Sequence, residues 1–279
     1  MEKKLQIKTE YIIQPQTKQL LISLAQKYEV PAFTNEDPSQ FIRWYSFPAD
    51  VEPACFIAAM LSFGNRKQFI PKIRQIFELA DKAGGMALWL KSGQYKCDFE
   101  QSDRKFYRFY SYSDMLDLFS ALEQILQEHS TLGEAIYAFC KSSSLLQAPT
   151  AKNDDDKTLM LVLQFFQTRF ANASIVPKGK TSANKRIFMF LRWMVRKNSP
   201  VDLGLWTWFP PSQLIIPLDV HVLQEAKKLE LIPPTAPASF KTAQLLTNRL
   251  KQIWPQDPCK GDFALFGVGV DYEKDNVQK

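Results

Sequence analysis

Histidine is scarce in this chain, cysteine is scattered and long apolar runs are missing. Two histidines, His129 and His221, stand among 279 residues, and neither has neighbours spaced for a metal site or a catalytic triad. The four cysteines, Cys55, Cys97, Cys140 and Cys259, form no C-x-x-C pair, which removes the usual local ligand spacing of zinc and iron–sulfur sites. Thiols this far apart in a chain this long read as reduced and buried in a cytosolic protein. No apolar stretch approaches the ~18 residues that a membrane span needs. The charged opening Met1-Glu2-Lys3-Lys4-Leu5 develops no apolar segment of a secretion leader. Runs of alternating β-branched residues are almost absent, so strands contribute little. These absences predict a soluble, cytoplasmic protein with no membrane partner, no metal and no cofactor.

What is present is apolar mass and a basic surplus. The apolar fraction of 46% is that of a globular chain. Thirty-five lysines and arginines face 29 aspartates and glutamates, a net charge of +6, which raises the weight of a polyanionic partner without fixing it. Helical periodicity dominates. Leu20, Leu21, Leu24, Ala25 and Tyr28 share one face of a first helix, and Asp37-Pro38 predicts the opening of a second. Phe56, Ala59, Met60 and Phe63 continue to Gly64, a basic helix follows from Arg66, and Met115, Leu118, Phe119, Leu122, Ile125 and Leu126 mark another. Apolar helices are predicted over 159–170 and 187–195. The fold class is all-α. The polar stretch 142–157, with Ser142-Ser143-Ser144 and Asp154-Asp155-Asp156, predicts a solvated loop or lobe boundary within one compact unit over 1–279.

Three segments carry candidate chemistry. Gly179-Lys180-Thr181 invites a phosphate-loop reading, but that motif needs a glycine where Ser174 stands and a strand before it. The same residues suit a tight turn into a helix, with Thr181 or Ser182 as the cap and outward N–H groups able to hold one phosphate. On the helix that follows, Lys185, Arg192 and Arg196 share a face at i, i+7 and i+11. That face is either a solvated stripe or a site with Lys185 at the mouth of a pocket, its amine made nucleophilic by partial burial and by Arg186. Trp206, Trp208 and Phe209, beside Pro210-Pro211, are either core or a wall on which a flat base stacks. Asp219 stands where a helix opens. It reads as an N-cap and equally as a carboxylate placed to stabilise a cation.

Pro217-Leu218-Asp219-Val220-His221-Val222 resembles the aspartate-bearing motif of the helix-hairpin-helix DNA glycosylase superfamily. The segment 257–269 resembles the final helix that packs against that unit. Nearly the whole chain is also similar to a bacterial family of uncharacterised proteins, on Ser62-Phe63-Gly64 before Arg66, Phe106-Tyr107-Arg108-Phe109, Lys185-Arg186, the block 190–196, Asp202-Leu203-Gly204 and the Asp219 motif. The hairpin lacks a second glycine, and Asp219 stands 34 positions after Lys185, a long interval. Both features are similar to the archaeal 8-oxoguanine DNA glycosylases, the nearest analogue.

The resemblance implies two helical lobes with a cleft between them, residues 158–271 carrying the hairpin-like segment and the site. It implies a base-excision DNA glycosylase with AP-lyase activity on an oxidised purine such as 8-oxoguanine. Lys185 is then the nucleophile, with Lys180 as rival, and Asp219 is the carboxylate that offsets charge on the sugar. Trp206, Trp208 and Phe209 stack the extruded base, while Lys178, Gly179, Lys180, Arg192 and Arg196 meet the DNA backbone. The partner is damaged double-stranded DNA, the place the nucleoid, and the expected state a monomer. The alternative is a non-catalytic DNA-binding protein of the same fold.

Overall fold

The most apolar stretch of the chain forms its innermost helix. The computed structural model describes residues 11–143, 154–179 and 181–277. Helix α1 spans Pro15–Tyr28, and α2 spans Pro48–Leu61 with every residue from 51 to 61 buried. A helix apolar on all sides must be enclosed on all sides. It is enclosed by α3 (Arg66–Lys82), α4 (Met86–Lys91), α7 (Leu132–Ser142) and α9 (Lys185–Val195). Phe56 of α2 stacks on Phe166 of α8 (Asp154–Arg169) at 5.3 Å and meets Phe190 of α9 edge-on at 5.1 Å. Short α5 (Tyr95–Asp98) and the long α6 (Tyr112–Glu128) complete this side, α6 held at its start by a reciprocal Ser111–Asp114 capping box. Helices α10 (Val220–Lys228), α11 (Phe240–Leu250) and α12 (Lys260–Val277) follow, and α12 packs against both α1 and α10.

The all-α expectation holds for the bulk of the chain, with one addition and three local differences. A two-stranded antiparallel hairpin, β1 (Lys105–Tyr107) and β2 (Tyr110–Ser111), interrupts the helices. It is too short to leave a period-2 pattern. Asp37 accepts from the Ser39 N–H as a cap should, but Pro38–Phe41 closes as a single 3-10 turn rather than a full helix. Residues 154–156, expected in a solvated loop, begin α8. The cap of α9 is neither Thr181 nor Ser182 but Asn184, in the left-handed region at φ 47°, which asparagine tolerates better than most residues. Of the expected lobe boundary, residues 144–153 lie outside the described residues. Among the described residues no helix is long and apolar enough to cross a membrane.

Candidate functional site

Two helix N-termini converge on one cavity. The turn before α9 is anchored to the start of α11: Ser182 pairs with Ser239, and the Phe240 N–H donates to the Thr181 carbonyl at 3.0 Å. Within the turn, Asn184 Nδ2 donates to the Gly179 carbonyl at 3.0 Å, and the Asn184 N–H donates to Ser182 Oγ at 3.3 Å. Lys185 is therefore the first residue of a helix whose entry is fixed from both sides. Asp219 precedes α10 with extended backbone, and its Oδ1 accepts from the Val222 N–H at 2.9 Å. Its other oxygen, Oδ2, lies 3.3 Å from Lys185 Nζ. Thirty-four positions apart in sequence, the two side chains form an ion pair.

Both line a cavity of about 600 Å³, within the size range of small-molecule sites. Its apolar walls include Phe33, Phe63, Phe69, Met189 and Phe266, and its polar groups include Asp37, Arg66, Asn184, Arg186, His221 and Asp262. Phe33 lies 5.8 Å from Phe266, the Arg66 guanidinium 5.3 Å from the Phe266 ring and 3.9 Å from Asp37 Oδ2. His221 meets Phe266 edge-on. Lys185, Met189 and Arg192, at i, i+4 and i+7 of α9, present one face to the cavity. Arg192 forms part of its floor, buried and paired with Asp262 of α12. Burial pushes the Asp262 carboxyl up to about 6, against the opposing pull of Arg192.

Several expected site residues are not in the surroundings that their expected roles require. Arg192 and Arg196 are not on the surface, being only 3% and 1% exposed, and cannot meet a DNA backbone. Arg192 Nε donates to Asp202 Oδ1 at 3.2 Å, while Arg196 donates to Asp202 Oδ2, to Asp257 and to Glu29. Two cations among four carboxylates form a buried lattice, the pairing that interior charges require. Trp206, Trp208 and Phe209 do not line the cavity. Trp206 and Phe209 are buried on the side of α9 that carries Phe190, whose ring lies 5.4 Å from Trp206, and Trp208 packs on Tyr137 at 5.3 Å. Gly133 is required there, because a Cβ would collide with the Trp206 indole. The core alternative applies to these aromatics.

Lys178 is engaged locally, its Nζ donating to the Ala171 and Ala173 carbonyls at 2.9 Å, and burial pulls its ammonium down from the ordinary lysine value. Gly179 is exposed at the turn, and Lys180 lies outside the described residues. Arg186 turns to the end of α2, donating to the Met60 carbonyl with its guanidinium 4.9 Å from the Phe63 ring. The cavity's own aromatics, and the roles of Asp37, Arg66 and Asp262 in it, were missed in the sequence. The signals available were Asp37 beside Pro38, Arg66 following Ser62-Phe63-Gly64, and Asp262 within the block 257–269. Among the described residues, no group of three or more histidine, cysteine, aspartate or glutamate side chains is placed to hold a metal ion.

A family model described as a protein of unknown function, DUF2400, matches residues 37–271. No curated protein and no solved structure matches the chain.

Proposed function

Starting from the fact that the chain belongs to the DUF2400 family of proteins of unknown function, we propose that it is a DNA glycosylase with AP-lyase activity on an oxidised purine. The observation that carries the reading is the Lys185–Asp219 pair, 3.3 Å apart inside an aromatic-walled cavity, each side chain placed by a helix N-terminus. The fold is then of the helix-hairpin-helix type. The turn at 177–184 stands as the hairpin, and the cavity is the cleft between two helical lobes. A damaged nucleotide leaves the duplex and enters this cavity, at least cost where its pairing is already weakened. Phe33, Phe69 and Phe266 supply faces and edges for a flat base, and Asp37 and Arg66 supply an acceptor and a donor for its rim.

Asp219 offsets positive charge on the sugar as the glycosidic bond breaks. The Lys185 ammonium of the ion pair first gives a proton to water. The amine then bonds through its electron pair to the anomeric carbon as the bond to the base breaks with its electrons leaving on the base, which takes up the proton that the bonded nitrogen sheds. Loss of the ring oxygen from that carbon gives the Schiff base, from which strand cleavage follows. The DNA and nucleoid assignments belong to this same proposal.

The experiment is borohydride trapping on duplexes carrying 8-oxoguanine. Wild type should yield a covalent protein–DNA adduct. Lys185→Gln should yield none while keeping duplex binding, because it removes the amine and little volume. An adduct that survives in Lys185→Gln and vanishes in Lys180→Gln moves the nucleophile to Lys180. Duplex binding without adduct or base release on any lesion leaves a non-catalytic DNA-binding protein, and the enzyme reading fails.

A further inference from the structure

The tip of one element at the rim of the cavity is used neither by the core, which takes Phe106, Tyr107 and Tyr110 from its strands, nor by the Lys185–Asp219 pair. The hairpin β1–β2 turns through two residues, Arg108 and Phe109, between the paired Tyr107 and Tyr110. Phe109 at its tip is 59% exposed. Single exposed apolar residues are ordinary on protein surfaces. This one differs in how firmly it is held and in where it stands. Lys105 Nζ donates to the Phe109 carbonyl at 3.0 Å, and the Tyr107 hydroxyl donates to the Phe63 carbonyl, pinning the hairpin to the end of α2. The Phe109 ring lies 4.6 Å from Tyr110 and 5.4 Å from Phe63, and Phe63 itself lines the cavity.

The turn is held in a conformation that its sequence does not favour. Arg108 has φ 51°, in the left-handed region that few non-glycine residues enter, and its guanidinium lies 5.7 Å from the Phe63 ring and 6.0 Å from the Phe109 ring. Gly64, another lining residue, makes this approach feasible, since a Cβ there would collide with the Arg108 guanidinium. An exposed aromatic face beside a cation, packed on Phe63 and Tyr110, therefore sits at the mouth of a base-sized cavity.

We propose that Phe109 is the wedge that enters the base stack of double-stranded DNA at the position vacated by the nucleotide held in the cavity, with Arg108 against the adjacent phosphate. The inference rests on the glycosylase reading above. Extruding a nucleotide leaves two unstacked neighbours, and an inserted aromatic ring replaces part of the lost stacking. The stated partner is thus a duplex opened at a single nucleotide, not a continuous one and not a single strand.

The test compares the affinity of the full chain for two duplexes, one intact and one carrying a stable abasic analogue at a single position. Wild type should prefer the abasic duplex. Phe109→Ala should lose roughly tenfold in affinity for it, the scale of one stacking contact, while holding the intact duplex within about twofold. Phe109→Trp should keep the preference, and the thermal midpoint of Phe109→Ala should match wild type because the ring is largely in solvent. A preference undiminished in Phe109→Ala overturns the wedge, as does an equal loss on both duplexes, which marks an ordinary backbone contact. If wild type forms the borohydride adduct and Phe109→Ala prefers the abasic duplex as strongly, only the wedge fails. If wild type binds no duplex, the glycosylase reading fails and takes the wedge with it.

Discussion

Asp219 has two duties, and its two oxygens divide them. Oδ1 accepts the Val222 N–H and caps α10, while Oδ2 faces Lys185. Asparagine keeps a capping oxygen and gives up the charge, whereas alanine gives up both. Asp219→Asn should therefore melt within about 0.5 kcal/mol of wild type and slow single-turnover base release by a factor of about 10² or more, the scale of one lost electrostatic stabiliser. Asp219→Ala should add a stability loss of about 1 kcal/mol. Equal rates in Asp219→Asn and wild type would remove Asp219 from the chemistry and leave it a cap.

Asp262 gives the same cavity a pH signature. Burial raises its carboxyl from the ordinary 3.8 to about 6, with Arg192 pulling the other way. Between those values the folded chain holds a proton that the unfolded chain has released. The folded state binds more protons, so this group makes stability fall as pH rises through that window, roughly pH 4 to 6. Asp262→Asn cannot titrate. Its thermal midpoint should be lower overall, because Arg192 loses a partner, yet its slope across that window should be less negative than that of wild type. Parallel curves for the two proteins would show that Asp262 stays ionised throughout.

At the scale of elements, the lattice around Asp202 is what fastens α9 to its surroundings. Arg196 reaches the C-terminal end of α1 through Glu29 and the chain before α12 through Asp257, and Arg192 reaches α12 through Asp262. Arg43 adds a tie from the 3-10 region, donating to the Val201 and Asp202 carbonyls at 2.6 and 3.2 Å. Removing one partner of a buried pair leaves the others uncompensated, a loss of about 3–5 kcal/mol. Arg196→Met should cost that much in denaturant unfolding. The salt dependence of duplex binding by the protein that remains folded should be unchanged, since a buried guanidinium releases no counterion. A flattened salt slope in Arg196→Met would return this residue to the DNA surface.

The lattice also explains what could and could not be read in the sequence. The helices at 15–28, 112–128 and 185–195 were legible because their apolar spacing repeats with the helical period. Asp219 was legible because a cap and a candidate carboxylate ask for the same residue at the same place. Arg192 and Arg196 were not, since cations at i and i+4 look alike on a solvated face and against Asp202, Asp257 and Asp262. Trp206 and Trp208 failed for a similar reason: aromatic density marks burial and stacking sites equally. The cavity's own rings, Phe33, Phe63 and Phe266, come from three distant segments, and no local pattern brings them together.

At the scale of the whole molecule, the enclosure of α2 has a consequence in time rather than in space. A helix buried on every side can exchange its amide protons only when its neighbours leave it, which requires the cooperative unit to open. The amides of Phe56, Ile57, Ala58, Ala59 and Met60 should therefore exchange with deuterium at the slowest rate in the chain, at a free energy equal to that of global unfolding. Those of Arg108 and Phe109, at a two-residue turn on a hairpin of five paired-strand residues, should exchange orders of magnitude faster. If the α2 amides exchange as fast as the hairpin's, α2 is not the centre of one cooperative core. If the rates separate, the molecule keeps two clocks: a slow one that sets how long the cavity exists, and a fast one at the mouth that sets how readily its rim can yield.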